Sequence, residues 1–308
     1  MALSNYDGLA RAVLLRCPGT SYLLARQWIS FAFRQLAEKR AWSWLIREGQ
    51  FLFPAAYTTG TAAVTNNSIT VTGTLTVWTA AMVGRQFRAG ANNPIYTIAT
   101  RVSDTEITLD RVWGGATLTG QTYEIYRAYQ TVPSDFHSFL TAVDQAQAWQ
   151  LTTNVGQDEL DLIDPQRTDS GQPWVLSFHD YDTVTSPPLP RYEAWPHVKS
   201  QYVIPFLYEI RPTDLEDTGA VLPRYARGDM LLEMALAECA RWPGPDTARK
   251  NPYFNLGLAD RHERRAQQMI AEAQRQDEEV FMSNVRYQSM LALPFAPSDA
   301  WRQTHEVY

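Results

Sequence analysis

Residues 64–90 read VTNNSITVTGTLTVWTAAMVGRQFRAG. Ala62 and Val64, then Ile69 and Val71, alternate with threonine, the two-residue period of a half-buried antiparallel strand. Asn66-Asn67 separates the two runs, and asparagine tolerates the positive φ that a tight hairpin turn demands. The β-branched residues fit a pleated surface. The stretch therefore predicts a hairpin, and strand character extends beyond it, from about Leu45 to Gln130. The segments TIATRVSDTEITLDRVW and GQTYEIYRAYQ, with turn residues at Asn92-Asn93-Pro94, Ser103-Asp104 and Gly114-Gly115, give short strands spaced as in a small barrel or sandwich.

Helical patterns stand on either side. Pro18, Gly19, Thr20 and Ser21 end one short helical stretch and offer an N-cap for the next. From Tyr22 to about Trp44, Gln27, Ser30, Arg34 and Glu38 form a narrow polar stripe. Leu24, Trp28, Ile29, Phe31, Phe33 and Leu36 fill most of the remainder, so this helix is expected to be buried on several sides, in a bundle or between subunits. Pro133-Ser134-Asp135 marks an exit from the strands. A second β-rich stretch runs through PWVLSFHDYDTV and YVIPFLYEIRP, interrupted by Pro187, Pro188 and Pro190. Pro223 is placed for the first turn of a helix, RYARGDMLLEMALAECARW, that Pro243-Gly244-Pro245 stops. A further helix runs from about Leu256 to Glu279 with a narrow seam of His262, Ala266, Met269, Ala273 and Val280. After Met282 the periodicity is lost and Pro294 and Pro297 oppose a helix. Terminal tails are usually polar. This one carries Tyr287, Leu291, Leu293, Phe295, Trp301 and Tyr308, anchors for docking on a partner.

The expected fold is α+β. Its frame is a helical bundle built from N-terminal (1–44) and C-terminal (222–282) helices. An antiparallel β barrel or sandwich (45–132) is inserted, followed by a mixed segment with the second β-rich stretch (133–221). An extended C-terminal arm (283–308) completes it.

At 308 residues the chain has the length of about two domains. With 45% hydrophobic and 19% charged residues it is globular rather than disordered. The 10 Trp and 15 Tyr supply large buried area and favour subunit contacts. A net charge of −6 without a basic run argues against a module that grips nucleic acid through its phosphates. Cys17 and Cys239 make no CxxC and read as buried free thiols, a disulfide being the alternative. There is no basic segment leading an apolar core at the N-terminus and no run of ~20 apolar residues, so a soluble cytoplasmic chain is expected.

Catalytic motifs are not found. The sequence has no GxSxG, P-loop, dinucleotide fingerprint or HExxH, and neither cofactor nor metal is expected. QDELDLID supplies Asp158, Glu159, Asp161 and Asp164 without the glycine and glutamate of an EF-hand, and reads as a solvated acidic loop. His179 and Asp180 in FHDYD face opposite sides of a strand, which favours a surface role. His262 beside Glu263 fits an intersubunit or i,i+4 ion pair. Trp42 and Trp44 fit a core cluster at the helix-to-sheet junction better than a stacking platform.

The layout resembles the head-to-tail adaptor (connector) proteins of tailed bacteriophages. FRQLAEKRAWSWL, AAVTNNSITVTGT, VWTAAMVGRQFRAG, PIYTIATRVSDTEITLDRVWGG and YEIYRAYQTVPSDF carry the resemblance. RYEAWPHVKSQYVIPFLYEIRPTDL and LPRYARGDMLLEMALAECARW follow in the same order. The resemblance implies a non-enzymatic virion protein of the head–tail neck, assembled in the host cytoplasm. It implies a ring, typically of twelve copies, that binds the portal protein above and a tail or stopper protein below. DNA passes through the channel without sequence-specific binding, and no membrane is involved. Trp28, Phe31, Arg34 and Glu38 would then pack neighbouring subunits, and Tyr287, Leu291, Leu293, Phe295, Trp301 and Tyr308 would dock the arm on the portal. Two other readings are a tail nozzle or baseplate ring protein, and a glycan-binding or -cleaving virion protein. In the last, Trp42, Trp113 or Trp174 would stack on sugars and carboxylates from Asp158 to Asp164 would do acid–base work.

Overall fold

The computed structural model describes residues 5–90, 93–145, 149–182, 185–212, 215, 222–223, 226–245 and 250–291, with the backbone alone at 154 and 279–291. In chain order the elements begin with α1 (Tyr6–Arg16), α2 (Tyr22–Glu38), β1 (Ile46–Phe53), β2 (Thr61–Val64), β3 (Thr70–Thr74), β4 (Gln86–Ala89), β5 (Tyr96–Ser103) and β6 (Glu106–Leu109). β7 (Leu118–Gln121), β8 (Tyr123–Tyr126), β9 (Tyr129–Thr131), β10 (Phe136–Asp144), β11 (Trp149–Gln150), β12 (Thr152–Val155) and α3 (Gln157–Ile163) follow. The last are β13 (Val175–Asp182), β14 (Leu189–Trp195), β15 (Tyr202–Ile210), α4 (Gly228–Arg241) and α5 (Leu256–Leu291). The fold is α+β. Two compact units are present, one formed by Met1–Ile46 with Arg211–Tyr308 and one by Arg47–Ile210.

In the Arg47–Ile210 unit, β2 and β3 form the expected hairpin, with Thr61 opposite Thr74 and Val64 opposite Val71. The Ser68 N–H donates to Thr65 O at 3.1 Å, and Asn67 sits at φ 59°. The loop beyond β6 holds this turn in place: Asn66 Nδ2 donates to Gly115 O at 2.8 Å and the Asn67 N–H to Trp113 O at 2.9 Å. Ala62, Val64 and Val71 face the core, whereas Ile69 lies just before β3 and is 44% exposed. Seven strands in the order β7-β2-β3-β6-β5-β4-β8 make a sheet that curls into a half-barrel. Trp78 fills its core. The indole is wholly buried, its Nε1 donates to Tyr123 Oη at 2.9 Å, and Tyr123 Oη donates to Thr59 O at 2.6 Å. Gly73 makes room for it, since a Cβ there would lie 2.8 Å from the indole.

The expected boundary at 132/133 falls inside this unit. Pro133–Asp135 is a turn, closed by the Phe136 N–H on Pro133 O at 3.1 Å, and it leads straight into β10 rather than out of the strands. Early and late strands then share two four-stranded sheets, β1-β15-β10-β11 and β12-β13-β14-β9. Phe51, Phe53, Leu176, Ala194, Ile204 and Phe206 are buried in a common core.

In the helical unit, Ser21 caps α2 as expected, accepting from the Leu24 N–H at 3.1 Å. α2 ends at Glu38, six residues short of Trp44. The chain turns there because the wholly buried Asp277 carboxylate of α5 accepts the Ser43 N–H at 3.2 Å as well as the Ser43 hydroxyl. Trp42 folds back so that its Nε1 donates to Leu36 O at 2.8 Å. α4 starts at Gly228, so Pro223 does not occupy its first turn; its carbonyl accepts the Ala226 N–H at 3.0 Å. α5 runs on to Leu291, past Glu279, through a stretch free of proline. Its buried seam is Ala259, Ala266, Ile270, Ala273 and Asp277, with Ile270 in place of Met269. Cys17 and Cys239 are not free thiols but a disulfide, with Cα atoms 6.9 Å apart.

Trp78→Ala removes one of the two buried tryptophans of the half-barrel core and loses about 3–5 kcal/mol. Val77→Ala, at a position 60% exposed, stays within about 0.5 kcal/mol of wild type. Chemical denaturation of the full chain compares the two.

Candidate functional site

The expected subunit-packing residues lie on α2. Ala25, Ile29, Ala32, Phe33, Leu36 and Ala37 form one buried face. Ser30, expected on the polar stripe, faces inward, its Oγ 2.7 Å from Tyr6 Oη, which itself lies 2.8 Å from Arg26 O. The opposite face is wider than a stripe and is not wholly polar. Leu23 is 68% and Phe31 44% exposed, and Gln27, Arg34, Gln35 and Glu38 are exposed beside them. Phe31, Arg34 and Glu38 thus fall together at i, i+3 and i+7. Trp28 does not join them; it is half-buried and meets Trp242 edge to face at 5.8 Å. α2 is therefore buried on one side within its own unit, not on several. The arm residues divide. Tyr287 and Leu291 lie on α5, where the backbone alone is described, and Leu293, Phe295, Trp301 and Tyr308 lie outside the described residues.

Several of the polar candidates have internal partners. QDELDLI is a helix, α3, and not a solvated loop. Asp164 is 5% exposed and accepts the N–H groups of Thr168 and Asp169, each at 3.0 Å, and Trp195 Nε1 at 3.1 Å. Burial works against its charge, but these donors outweigh it and hold the carboxyl below the usual range. Asp161 pairs with Arg167 at 2.6 Å. His179 stacks on Tyr129 with ring centroids 3.8 Å apart, and burial lowers its pKa. Asp180 is gripped by both arms of the Arg191 guanidinium, with Nε at 2.6 Å. His262 pairs with neither an i,i+4 residue nor Glu263: its Nδ1 lies 2.6 Å from Glu233 Oε2 on α4 and its Nε2 2.8 Å from Tyr253 Oη. Trp42 and Trp113 are wholly buried and offer no face to a sugar, while Trp174 is 43% exposed. Trp44 stacks on Phe33 at 5.6 Å. Among the described residues no group of three or more His, Cys, Asp or Glu could hold a metal ion.

One cluster escapes the sequence reading. Glu193 on β14 is 1% exposed; Arg167 Nε donates to it at 2.9 Å, Gln157 Nε2 at 2.7 Å, and His197 Nε2 lies 3.2 Å away. Burial pushes this carboxyl up, yet the hydrogen bonds from His197 and Gln157 and the Arg167 charge prevail and bring it to about 2. The available signal is a glutamate set directly before Ala194-Trp195 in a strand, with a histidine four residues on. The cluster binds α3 and the loop after it to the sheet. No protein-family model matches the chain, and no curated protein matches it either.

The depressed Glu193 pKa sets a pH dependence. Against 4.5 for an ordinary glutamate, the folded value of about 2 gives stability that is fully present above pH 4.5 and is lost as pH falls toward 2. Glu193→Gln is expected to cost on the order of 3 kcal/mol at pH 7 and to flatten the acid limb below pH 4.5, as read from denaturation midpoints across pH.

Proposed function

We propose that the chain is a structural ring subunit at the head–tail neck of a tailed bacteriophage. It would bind the portal protein on one side, offer a platform to a tail or stopper protein on the other, and surround the path of the DNA. The observation that carries the reading is the order of the two units: a β unit, Arg47–Ile210, interrupts the sequence of a helical one. That order matches the adaptor pattern carried by the quoted segments. In this reading the helices form the bundle that builds the ring body, in about twelve copies, and residues 283–308, helical up to Leu291 rather than extended from 283, dock on the portal.

A second observation supports assembly. The outer face of α2 presents Leu23 and Phe31 beside Arg34 and Glu38, and such a mixed face suits a head-to-tail contact that closes by rotation. The acidic balance of −6 suits a channel that passes DNA without holding its phosphates.

Peptide mass spectrometry of purified particles is expected to find this chain in a one-to-one ratio with the portal protein. A ratio near one-half or less would assign it to the tail end, and its absence would overturn a virion role. Phe31→Glu is expected to lower incorporation into particles at least tenfold while the purified variant keeps its thermal midpoint within a few degrees, because the side chain is already exposed in the single subunit.

A further inference from the structure

Cys17 and Cys239 are both wholly buried and are joined across 222 residues of sequence. Cys17 caps the C-terminal end of α1, while Cys239 lies in α4, so the bond ties the chain before the inserted β unit to a helix after it. The α4 side is braced without it: Asn251 Nδ2 donates to Cys239 O and to Trp242 O, each at 2.8 Å. The α1 side is braced unevenly. Tyr6 Oη donates to Arg26 O at 2.8 Å and Asp7 accepts the Tyr22 hydroxyl, both in the first turn of α1. At the other end Leu15 is 73% exposed, Arg16 is exposed, and Pro18-Gly19 follows with Gly19 at φ 100°.

We infer that the pair is a redox-set clasp on the helical unit. Oxidised, it fastens the last turn of α1 to α4. Reduced, that turn opens far more often, while Leu9, Ala10 and Val13 keep the rest of α1 packed and the fold intact. The chemistry is thiol–disulfide exchange with a small disulfide such as oxidised glutathione. The Cys17 thiolate attacks one glutathione sulfur, breaking the S–S bond and releasing a glutathione thiolate. The Cys239 thiolate then attacks the Cys17 sulfur of the mixed disulfide and releases the second. Two protein thiols are oxidised, one glutathione disulfide is reduced to two glutathiones, and the two protons leave on them. Because reducing compartments keep thiols reduced and oxidising ones do not, the clasp is open in the first and closed in the second. This inference stands apart from the proposed function and needs no ring or portal.

The test uses the full chain, equilibrated over a series of reduced-to-oxidised glutathione ratios, then acid-quenched and alkylated under denaturing conditions. Mass spectrometry is expected to count two alkylated thiols at the reducing end and none at the oxidising end. Hydrogen exchange in peptides covering the end of α1 and the start of α2 is expected to be at least tenfold faster in the reduced form. Peptides from Arg47–Ile210 should be unchanged. Cys17→Ala/Cys239→Ala should exchange like the reduced form at every ratio, and the wild-type titration decides the matter even if that variant fails to fold. Two free thiols at every ratio, a mixed disulfide that never resolves, or equal exchange in the two forms would each overturn the clasp.

Discussion

The rest of the structure depends on how the β unit begins and ends. A unit inserted into the sequence of another must return its chain close to where it left, or the host elements cannot pack. β1 opens this unit and β15 closes it, and the two are neighbours in one sheet. Gly49, near the start of β1, lies against the rings of Phe206 and Tyr208 near the end of β15, and a Cβ there would come within 2.6 Å of the Phe206 ring. The close approach that only glycine permits is thus at the point where entry and exit strands meet. With the chain returned, α4 and α5 can pack with α1 and α2 although more than 160 residues intervene.

Buried acids then fix the irregular segments. Asp277 decides where α2 stops, Glu233 ties α4 to α5 through His262, and Asp164 and Glu193 clamp the loop after α3 onto β14 and its neighbours. Each has donors from a segment without regular structure or from a different element. A buried carboxylate stripped of its partners is costly, so these contacts favour one arrangement of the loops over all others. Apolar burial makes the two units stable, and the acids make their connections unique.

What was legible in the sequence follows the same division. The hairpin at Thr61–Thr74 could be read because its pattern, its turn residue and its pairing are all local, and Asn67 takes the positive φ expected of it. Ser21 as a cap and Pro243 as a stop are equally local. Local pattern and structure part where a distant residue decides. No window around Trp44 reveals that Asp277 will end the helix six residues earlier. Pro133 looks like an exit unless β10 is known to pair with β15, more than sixty residues on. The polar stripe on α2 misassigned Ser30 because a hydroxyl can be satisfied by Tyr6 as readily as by water. Glu193 was invisible for the same reason: its donors, Arg167 and Gln157, come from outside its strand.

The distribution of side chains bears on what a further partner could use. Several of the carboxylates and histidines that suggest chemistry are occupied within the fold: Asp164 by backbone amides, Asp180 by Arg191, His262 by Glu233 and Tyr253. The exposed face of α2 is different, because Leu23 and Phe31 are apolar and have not been drawn into the core of their own unit. A helix gains most of its stability from the side it buries, so its outer side is free to be polar throughout. Under the proposed ring, covering the apolar residues there would recover burial that the single subunit lacks. Arg34 and Glu38 on the same face supply opposite charges along one stripe, which orients a contact that apolar area alone would leave free to rotate.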